Sequence, residues 1–223
     1  MPRITIAIDG HSSTGKSTVA KQLAEYIGYV YVDSGAMYRA VTLFAIQNEL
    51  SNTALLERLQ DINIALRPDK GGTVVLLNGA DVSAAIRTME VSNRVSEIAA
   101  LPEVRAKLVE QQRLMRKDNG VVMDGRDIGT VVFPDAELKL FMTASAAVRA
   151  QRRYQELLER GDKVTYQEVL KNVTERDHID STREVSPLKA APDAITIDNS
   201  EMNLEDQFHV VLQLAKDRIA GRV

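Results

Sequence analysis

The chain has 223 residues, a length that suits one large domain or a core domain that carries inserts. Its 28 basic and 31 acidic residues give a formal net charge of -3, so no global basic field is available to drive sequence-independent binding to nucleic acid. The absence of cysteine excludes disulfide scaffolds and thiolate metal sites. We identify neither a signal peptide nor the roughly 20 apolar residues of a membrane span, and we expect a cytoplasmic monomer without membrane or nucleic-acid partners.

Five short apolar runs have the pattern of strands that are buried on both faces. They lie at 4–8, 29–32, 121–123, 138–142 and 194–197. Helical stretches separate them; the first has apolar residues at helical spacing from Val19 to Ile27, with Gly28 as its predicted C-terminal cap. Strands that alternate with crossover helices predict a doubly wound α/β core around a parallel sheet.

The region 61–82 has a different pattern. Apolar residues alternate from Ile62 to Leu66, and turn sequences follow at 68–72 and 78–79. This spacing predicts a small antiparallel meander, which we interpret as an insert in the core.

Two charged helical segments follow later in the chain. The first, at 144–160, is rich in arginine and glutamate, and its spacing alone indicates a solvated helix with ion pairs. In the second, Arg176, Asp180 and Arg183 fall on one helical face, a spacing that alone more often indicates ion pairing at a surface. His178 has no partner at metal-ligand spacing, and we assign it no role.

The strongest functional signal is a phosphate-binding loop directly after the first predicted strand and directly before a predicted helix. The motif G-x-x-x-x-G-K-[ST] is matched by Gly10, His11, Ser12, Ser13, Thr14, Gly15, Lys16 and Ser17, followed by Thr18. Backbone N–H groups and the helix N-terminus favour bound phosphates, Lys16 adds a mobile charge, and the Ser17 hydroxyl suits one ligand position of Mg²⁺. The implied ligand is a nucleoside triphosphate with magnesium, but switches, transport ATPases and small-molecule kinases all share this loop.

A second anion site is indicated by residues that follow the other predicted strands. Asp124 ends an apolar run, where a carboxylate can hold magnesium or its waters, although an isolated aspartate there also fits a turn or helix cap. Arg39, Arg105 and Arg126 follow strand ends or Gly and Pro turns. Singly, each arginine is more often a surface charge, but a kinase with a phosphorylated acceptor needs several of them to hold two anionic groups together.

From about residue 3 to 199 the chain resembles the cytidylate kinase family in its longer, bacterial-type form. The segments that carry the resemblance are 10–17, 33–39 (DSGAMYR), 81–83, 86–87, 101–105, 124–136 (DGRDIGTVVFPDA) and 175–183. The resemblance implies a P-loop kinase with a three-layer α/β/α fold, a five-stranded parallel sheet, a small antiparallel insert and a short helical lid. The implied divisions are a core at about 1–60, 100–143 and 185–223, an insert at about 61–99 and a lid at about 144–165.

The resemblance further implies transfer of the γ-phosphoryl group of ATP, with Mg²⁺, to CMP or dCMP. In that family Arg39 and Arg126 would hold the acceptor phosphate, and Ser34 would lie in the same pocket. Ser96, Arg105 and Asp127 would read the cytosine, while Arg176 and Asp180 would hold the sugar and Arg183 would steady Asp180. Lys16 and Arg126 would act on the transferring phosphate, together with Arg152 or Arg153 of the lid, where Arg149 is a near neighbour.

Two features are left open by these patterns. His11 and Thr14 stand where family loops commonly carry proline and small residues, so the detailed geometry of the loop is not predicted. The alternatives to a cytidylate kinase are a related kinase with another small acceptor, such as UMP or a non-nucleotide, and a nucleotide-binding switch without transfer activity. Ser96, Arg105 and Asp127, the residues implied to read cytosine, argue against a kinase with another acceptor. The arginine cluster of the second anion site argues against a switch, which has no use for it.

Overall fold

A computed structural model describes residues 3–69, 72–116 and 120–222. The strands found there are β1 (Thr5–Gly10), β2 (Val30–Asp33), β3 (Ile64–Asp69), β4 (Gly72–Leu77), β5 (Ala80–Asp81), β6 (Val121–Gly125), β7 (Leu138–Thr143) and β8 (Ile195–Asp198). The α-helices are α1 (Lys16–Ile27), α2 (Ser34–Gln47), α3 (Asn52–Glu57), α4 (Met89–Ala100), α5 (Pro102–Arg113), α6 (Ala146–Glu159), α7 (Tyr166–Thr182) and α8 (Leu204–Ile219). Short 3-10 turns lie at Leu59–Asp61 and Ala85–Arg87, and a π-helical turn lies at Ile128–Val132.

The central sheet has five strands in the order β2-β6-β1-β7-β8, and every neighbouring pair is parallel. Side chains alternate across the sheet, so that Ile6 and Ile8 pack with α1 and α8 on one face, while Ala7 packs with Val109 of α5 on the other. Both faces of β1 are therefore buried. The predicted five-stranded parallel sheet between two helical layers is confirmed, with strand ends that shift by one or two residues.

The predicted meander is a separate antiparallel sheet in the order β3-β4-β5. Asn78 and Gly79 both have positive φ, as the tight turn between β4 and β5 requires. In the first predicted turn, Lys70 and Gly71 lie outside the described residues. This small sheet packs on α2, α3 and α4 through a common apolar cluster.

Helices α6 and α7 pack against each other through Ala150, Leu157, Val169 and Val173. The expectation of surface ion pairing on the second charged segment is wrong, because Arg176, Asp180 and Arg183 are all buried. These three side chains line a cavity at the carboxyl ends of the central strands. Within the described part of the chain, no helix has the length and apolar character needed to cross a membrane.

Candidate active site

A cavity of about 830 Å³ lies at the carboxyl ends of β1 and β6, the edge at which doubly wound folds bind ligands. From the phosphate loop it is lined by Ser12, Ser13, Gly15, Lys16, Ser17 and Thr18, whereas Gly10, His11 and Thr14 do not line it. The predicted acceptor residues that line it are Ser34, Arg39, Ser96, Arg105, Arg126, Asp127, Arg176, Asp180 and Arg183. Asp124, Arg152 and Arg153 also line it. The structure thus brings the two predicted anion sites into one cleft.

The phosphate loop is shaped by backbone geometry that few residue types allow. A Cβ atom at Gly10 would lie 2.1 Å from the carbonyl oxygen of Met142, so only glycine fits where β1 passes β7. Gly15 has a φ of 84° and is the N-cap of α1, whose N-terminus faces the cleft. Thr14, which departs from the usual loop, is accommodated because its hydroxyl donates a hydrogen bond to the His11 carbonyl at 3.1 Å.

Lys16 is folded back onto the loop, where its ammonium group donates to the His11 carbonyl at 2.8 Å. Burial, followed by the nearby Arg126 guanidinium, lowers the pKa of Lys16 to about 7. An anionic ligand in the cleft would counter this effect by favouring the charged ammonium.

Asp124 lies one residue before the end of β6, and its carboxylate accepts hydrogen bonds from two hydroxyl groups. Ser17 donates to its Oδ2 at 2.7 Å and Tyr31 donates to its Oδ1 at 2.8 Å. Burial and then the neighbouring Asp33 carboxylate raise the pKa of Asp124 to about 6. Tyr31 and Asp33 were not singled out from sequence, because nothing local marks a strand tyrosine or a helix-capping aspartate as neighbours of a distant carboxylate.

Asp9 is a second buried carboxylate that sequence reasoning missed. Its two oxygens accept hydrogen bonds from the backbone N–H groups of Ile128 and Gly129 at 2.8 and 2.7 Å. Burial raises the pKa of Asp9 to about 7, although these two hydrogen bonds oppose the rise. Asp9 therefore ties the end of β1, directly before the phosphate loop, to the turn that follows Asp127. The available sequence signal was an acidic residue directly after the apolar run 4–8 and directly before Gly10 of the loop motif.

Three arginines, Arg39, Arg126 and Arg176, converge in the cleft. Burial lowers the pKa of Arg39 to about 10, with Arg153 and Arg126 adding to the effect against the opposing charge of Asp33. Burial and then the charges of Arg39 and Arg126 lower the pKa of Arg176 to about 9. Like charges held this closely indicate a pocket built for an anion.

The acidic partner in this region is Asp180. Arg126 donates from Nε to Asp180 Oδ2 at 2.8 Å. Burial alone would raise the pKa of Asp180, but the charges of Arg126 and Arg176 outweigh it and hold this pKa below the ordinary value. A buried carboxylate fixed by arginines offers an acceptor for ligand hydroxyl groups.

Asp127 and Arg105 form an ion pair in which both residues are almost inaccessible, at 3% and 2% exposure. Arg105 also donates to the Ala99 carbonyl at 3.0 Å, and an Arg183 nitrogen lies 4.0 Å from Asp127 Oδ1. Within the described residues, Arg105 Nε and Arg183 Nη2 are buried without a hydrogen-bond partner. Ser96 lies buried on the same wall of the cleft. The carboxylate is thus fixed in place while unsatisfied donors remain beside it.

The three arginines of α6 have different surroundings. Arg149 lies outside the cleft, where it contacts Asp177 through two hydrogen bonds and donates to the Ser12 carbonyl at 3.2 Å. Arg152 donates to Asn199 at 3.0 and 2.8 Å. Arg153 contacts Glu156 at 2.6 Å, and both Arg152 and Arg153 line the cleft. Arg149 is therefore a support of the phosphate loop.

Comparisons with known proteins identify the family of the chain. The sequence model of the family described as cytidylate kinase matches residues 6–217. The chain is 59% identical to the cytidylate kinase of Flavobacterium johnsoniae, covering 97% of this chain and 98% of that protein. It is 58% identical to the cytidylate kinase of Phocaeicola vulgatus, covering 93% and 94%. A solved structure of an uncharacterized protein from Eubacterium ventriosum shares the fold, with a TM-score of 0.50 and 11% identity over 96% of this chain and 99% of that one. With a family match over nearly its whole length and relatives of this identity, the chain belongs to the cytidylate kinase family.

Proposed function

We propose that this protein transfers the γ-phosphoryl group of ATP to CMP or dCMP, giving CDP or dCDP and ADP. One observation carries the proposal: the phosphate loop and the arginine-lined pocket open into a single cleft of about 830 Å³. A nucleotide-binding switch needs only the first of these two sites. A kinase needs both, because donor and acceptor phosphates repel each other and must be held together.

In the proposed reaction an oxygen of the acceptor phosphate attacks the γ-phosphorus of ATP. The bond between that phosphorus and the β,γ-bridging oxygen breaks, and ADP leaves with the electron pair. No general base is required, since the attacking phosphate oxygen is already ionised. Lys16 and the loop amides would hold the donor phosphates, and Arg39 and Arg126 would hold the acceptor phosphate.

Ser17 and Asp124 fit a magnesium ion that accompanies ATP. Both offer the oxygen ligands that Mg²⁺ prefers, and a cation would favour the ionised form of Asp124, whose pKa is raised by burial and then by the Asp33 carboxylate. Within the described residues no group of three or more His, Cys, Asp or Glu side chains could hold a metal. Phosphate oxygens and waters would therefore supply the remaining ligands. When bound, the ion would neutralise charge on the β- and γ-phosphates.

Cytosine would be read by the wall that contains Ser96, Arg105 and Asp127. The exocyclic amino group of cytosine donates, and the Asp127 carboxylate accepts, whereas uracil presents a carbonyl oxygen at that place. Arg105 Nε is a free buried donor, within the described residues, for a ring acceptor. Arg176 and Asp180 would contact the sugar, with Arg183 beside Asp180 at 3.9 Å.

We further propose the divisions expected from sequence, with an insert at about 61–99 and a lid at about 144–165. The backbone carbonyl of Arg87, in the insert, accepts a hydrogen bond from Arg153 at 3.3 Å and another from Arg160 at 3.1 Å. Both arginines belong to the lid. Contact between the two across the cleft supports closure over both substrates, which would exclude water and prevent ATP hydrolysis.

The test is a screen of CMP, dCMP, UMP and AMP with ATP and Mg²⁺, following ADP release and identifying the diphosphate product. We expect CMP and dCMP to be phosphorylated much faster than UMP or AMP. Equal rates with all four would contradict the cytosine assignment. ADP release that does not depend on any acceptor, or no release at all, would favour a nucleotide switch.

A further inference from the structure

Asn199, directly after β8, links three parts of the molecule that meet at the phosphate loop. The residue has no exposed surface. Its side-chain nitrogen donates to the Thr14 carbonyl at 2.6 Å and to Gln207 Oε1 at 2.8 Å. Its Oδ1 and backbone carbonyl accept from Arg152 at 3.0 and 2.8 Å. The phosphate loop, the lid helix α6 and helix α8 are thereby joined through one amide.

The orientation of this amide is determined by its neighbours. The Thr14 carbonyl can only accept and the Arg152 guanidinium can only donate, so the nitrogen of Asn199 must face the loop and its oxygen must face the arginine. Gln207 is oriented in the same way, because its Nε2 donates to the Met202 carbonyl at 3.1 Å. Both hydrogens of the Asn199 side-chain nitrogen have acceptors and its side-chain oxygen has a donor, which makes each of these bonds costly to lose at a buried residue.

The network lies where the loop must be held in shape. Thr14 directly precedes Gly15 and Lys16, and a carbonyl drawn outward by Asn199 leaves the neighbouring N–H groups free to point into the cleft. Gln207 Oε1 lies 3.2 Å from the position that a Cβ atom at Gly15 would occupy, so it also limits the loop. Arg152 and Gln207 both line the cleft beside the loop.

We propose that Asn199 is a positioning residue for the donor nucleotide: it holds the phosphate loop in its binding shape and holds Arg152 beside it. This inference rests on the proposed function and adds a residue that acts through Thr14 and Arg152 without touching the acceptor. A purely structural asparagine would support the turn after β8, where Met202 N donates to the Asn199 carbonyl at 3.2 Å, and would affect stability alone.

The first experiment compares Asn199→Ala with Asn172→Ala. Asn172 is a matched control because it is also buried and donates from its side-chain amide, but its partners, Ser92 and Asn93, lie in α4 and not in the phosphate loop. Binding of ATP with Mg²⁺ is measured by calorimetry without any acceptor, and KM values for ATP and CMP are measured with thermal unfolding alongside. We expect Asn199→Ala to weaken ATP binding and raise the ATP KM about tenfold, while the CMP KM stays within about twofold. ATP affinity equal to that of Asn172→Ala would overturn the inference.

The second experiment uses a more conservative variant, in case Asn199→Ala does not fold. Asn199→Asp keeps the size of the side chain and still accepts from Arg152, but it cannot donate to the Thr14 carbonyl. We expect weakened ATP binding, and wild-type ATP affinity in this folded variant would overturn the inference.

A double-mutant cycle with Arg152→Ala tests the link to the lid. If the two residues act together, the fold-loss of ATP affinity in the double variant should be at least about threefold smaller than the product of the fold-losses in the two single variants. Multiplicative losses would overturn the link. Failure of the wild type to form CDP would refute the proposed function, whereas ATP binding by the variants tests Asn199 independently of transfer.

Discussion

Replacing Asp127 by asparagine should remove most of the preference for cytosine over uracil while leaving phosphoryl transfer intact. The substitution keeps the size of the side chain and its distance from the phosphates. It replaces a carboxylate that only accepts hydrogen bonds with an amide that can also donate. Uracil, which presents a carbonyl oxygen where cytosine presents its amino group, would then find a partner.

The size of the effect follows from the burial of Asp127, which is 3% exposed. A hydrogen bond to a buried charged group contributes about 1.5–3 kcal/mol, so the ratio of kcat/KM for CMP to that for UMP should fall about 10- to 100-fold. Arg105 loses its buried ionic partner but keeps the Ala99 carbonyl. We therefore also expect a loss of about 2–3 kcal/mol in stability, seen as a fall of about 5–10 °C in Tm.

The assay measures kcat/KM for CMP and UMP with the same protein sample, so a loss of folded protein affects both values equally and cancels from the ratio. Asp135→Asn is the matched control: Asp135 is exposed, contacts Arg116 at 2.6 Å and belongs to the same connection between β6 and β7. Its ratio should equal that of the wild type. An unchanged ratio in folded Asp127→Asn protein would refute the assignment of Asp127 to the base.

Three further predictions concern the ends of β1 and β6. Lys16→Ala should lower kcat by about 10³-fold at saturating substrates, because a buried ammonium beside the loop is lost, whereas exposed Lys171→Ala should have no effect; near-normal turnover would refute the role. Asp124→Asn should raise the Mg²⁺ concentration needed for half-maximal rate by about tenfold or more, and an unchanged magnesium titration would count against this ligand. Because burial raises the pKa of Asp9 from 3.8 to about 7, the folded state binds its proton more tightly than the unfolded state; this contribution to stability is present at low pH and is lost as pH rises through 7. Between about pH 8 and pH 5 the ligand-free wild type should therefore gain about 2 kcal/mol relative to Asp9→Asn, and parallel pH profiles of unfolding would contradict the assignment.

Local patterns correctly predicted the strands, the loop between β1 and α1, and the meander. Each of these depends on spacing within one element: an apolar run for β1, glycines and a lysine at set positions for the loop, and alternation with turn residues for β3 and β4. The chain itself imposes such spacing, so no distant contact is needed to recognise it.

The proposed acceptor site could not be predicted from such local spacing. Arg176 and Asp180 have the spacing of a surface ion-pair face, yet both are buried in the cleft. Only their resemblance to a family indicated a role, because spacing on a helix states which residues share a face but not what that face meets. Arg149 and Arg152 are likewise near neighbours on α6, and only packing against Ser12 and Asn199 distinguishes them.

The sequence by itself therefore determined a parallel α/β core with a glycine-containing loop between β1 and α1, since both are encoded by short-range periodicity and backbone geometry. The tertiary structure decided which side chains converge. It placed β6 beside β1, so that Asp124 reaches Ser17 across 107 positions of the chain and Asp9 reaches the turn after Asp127. It also brought Asn199 to Thr14 across 185 positions. These contacts between distant residues depend on strand order and helix packing. Strand order and helix packing in turn depend on the free energy of the whole fold rather than on any one segment.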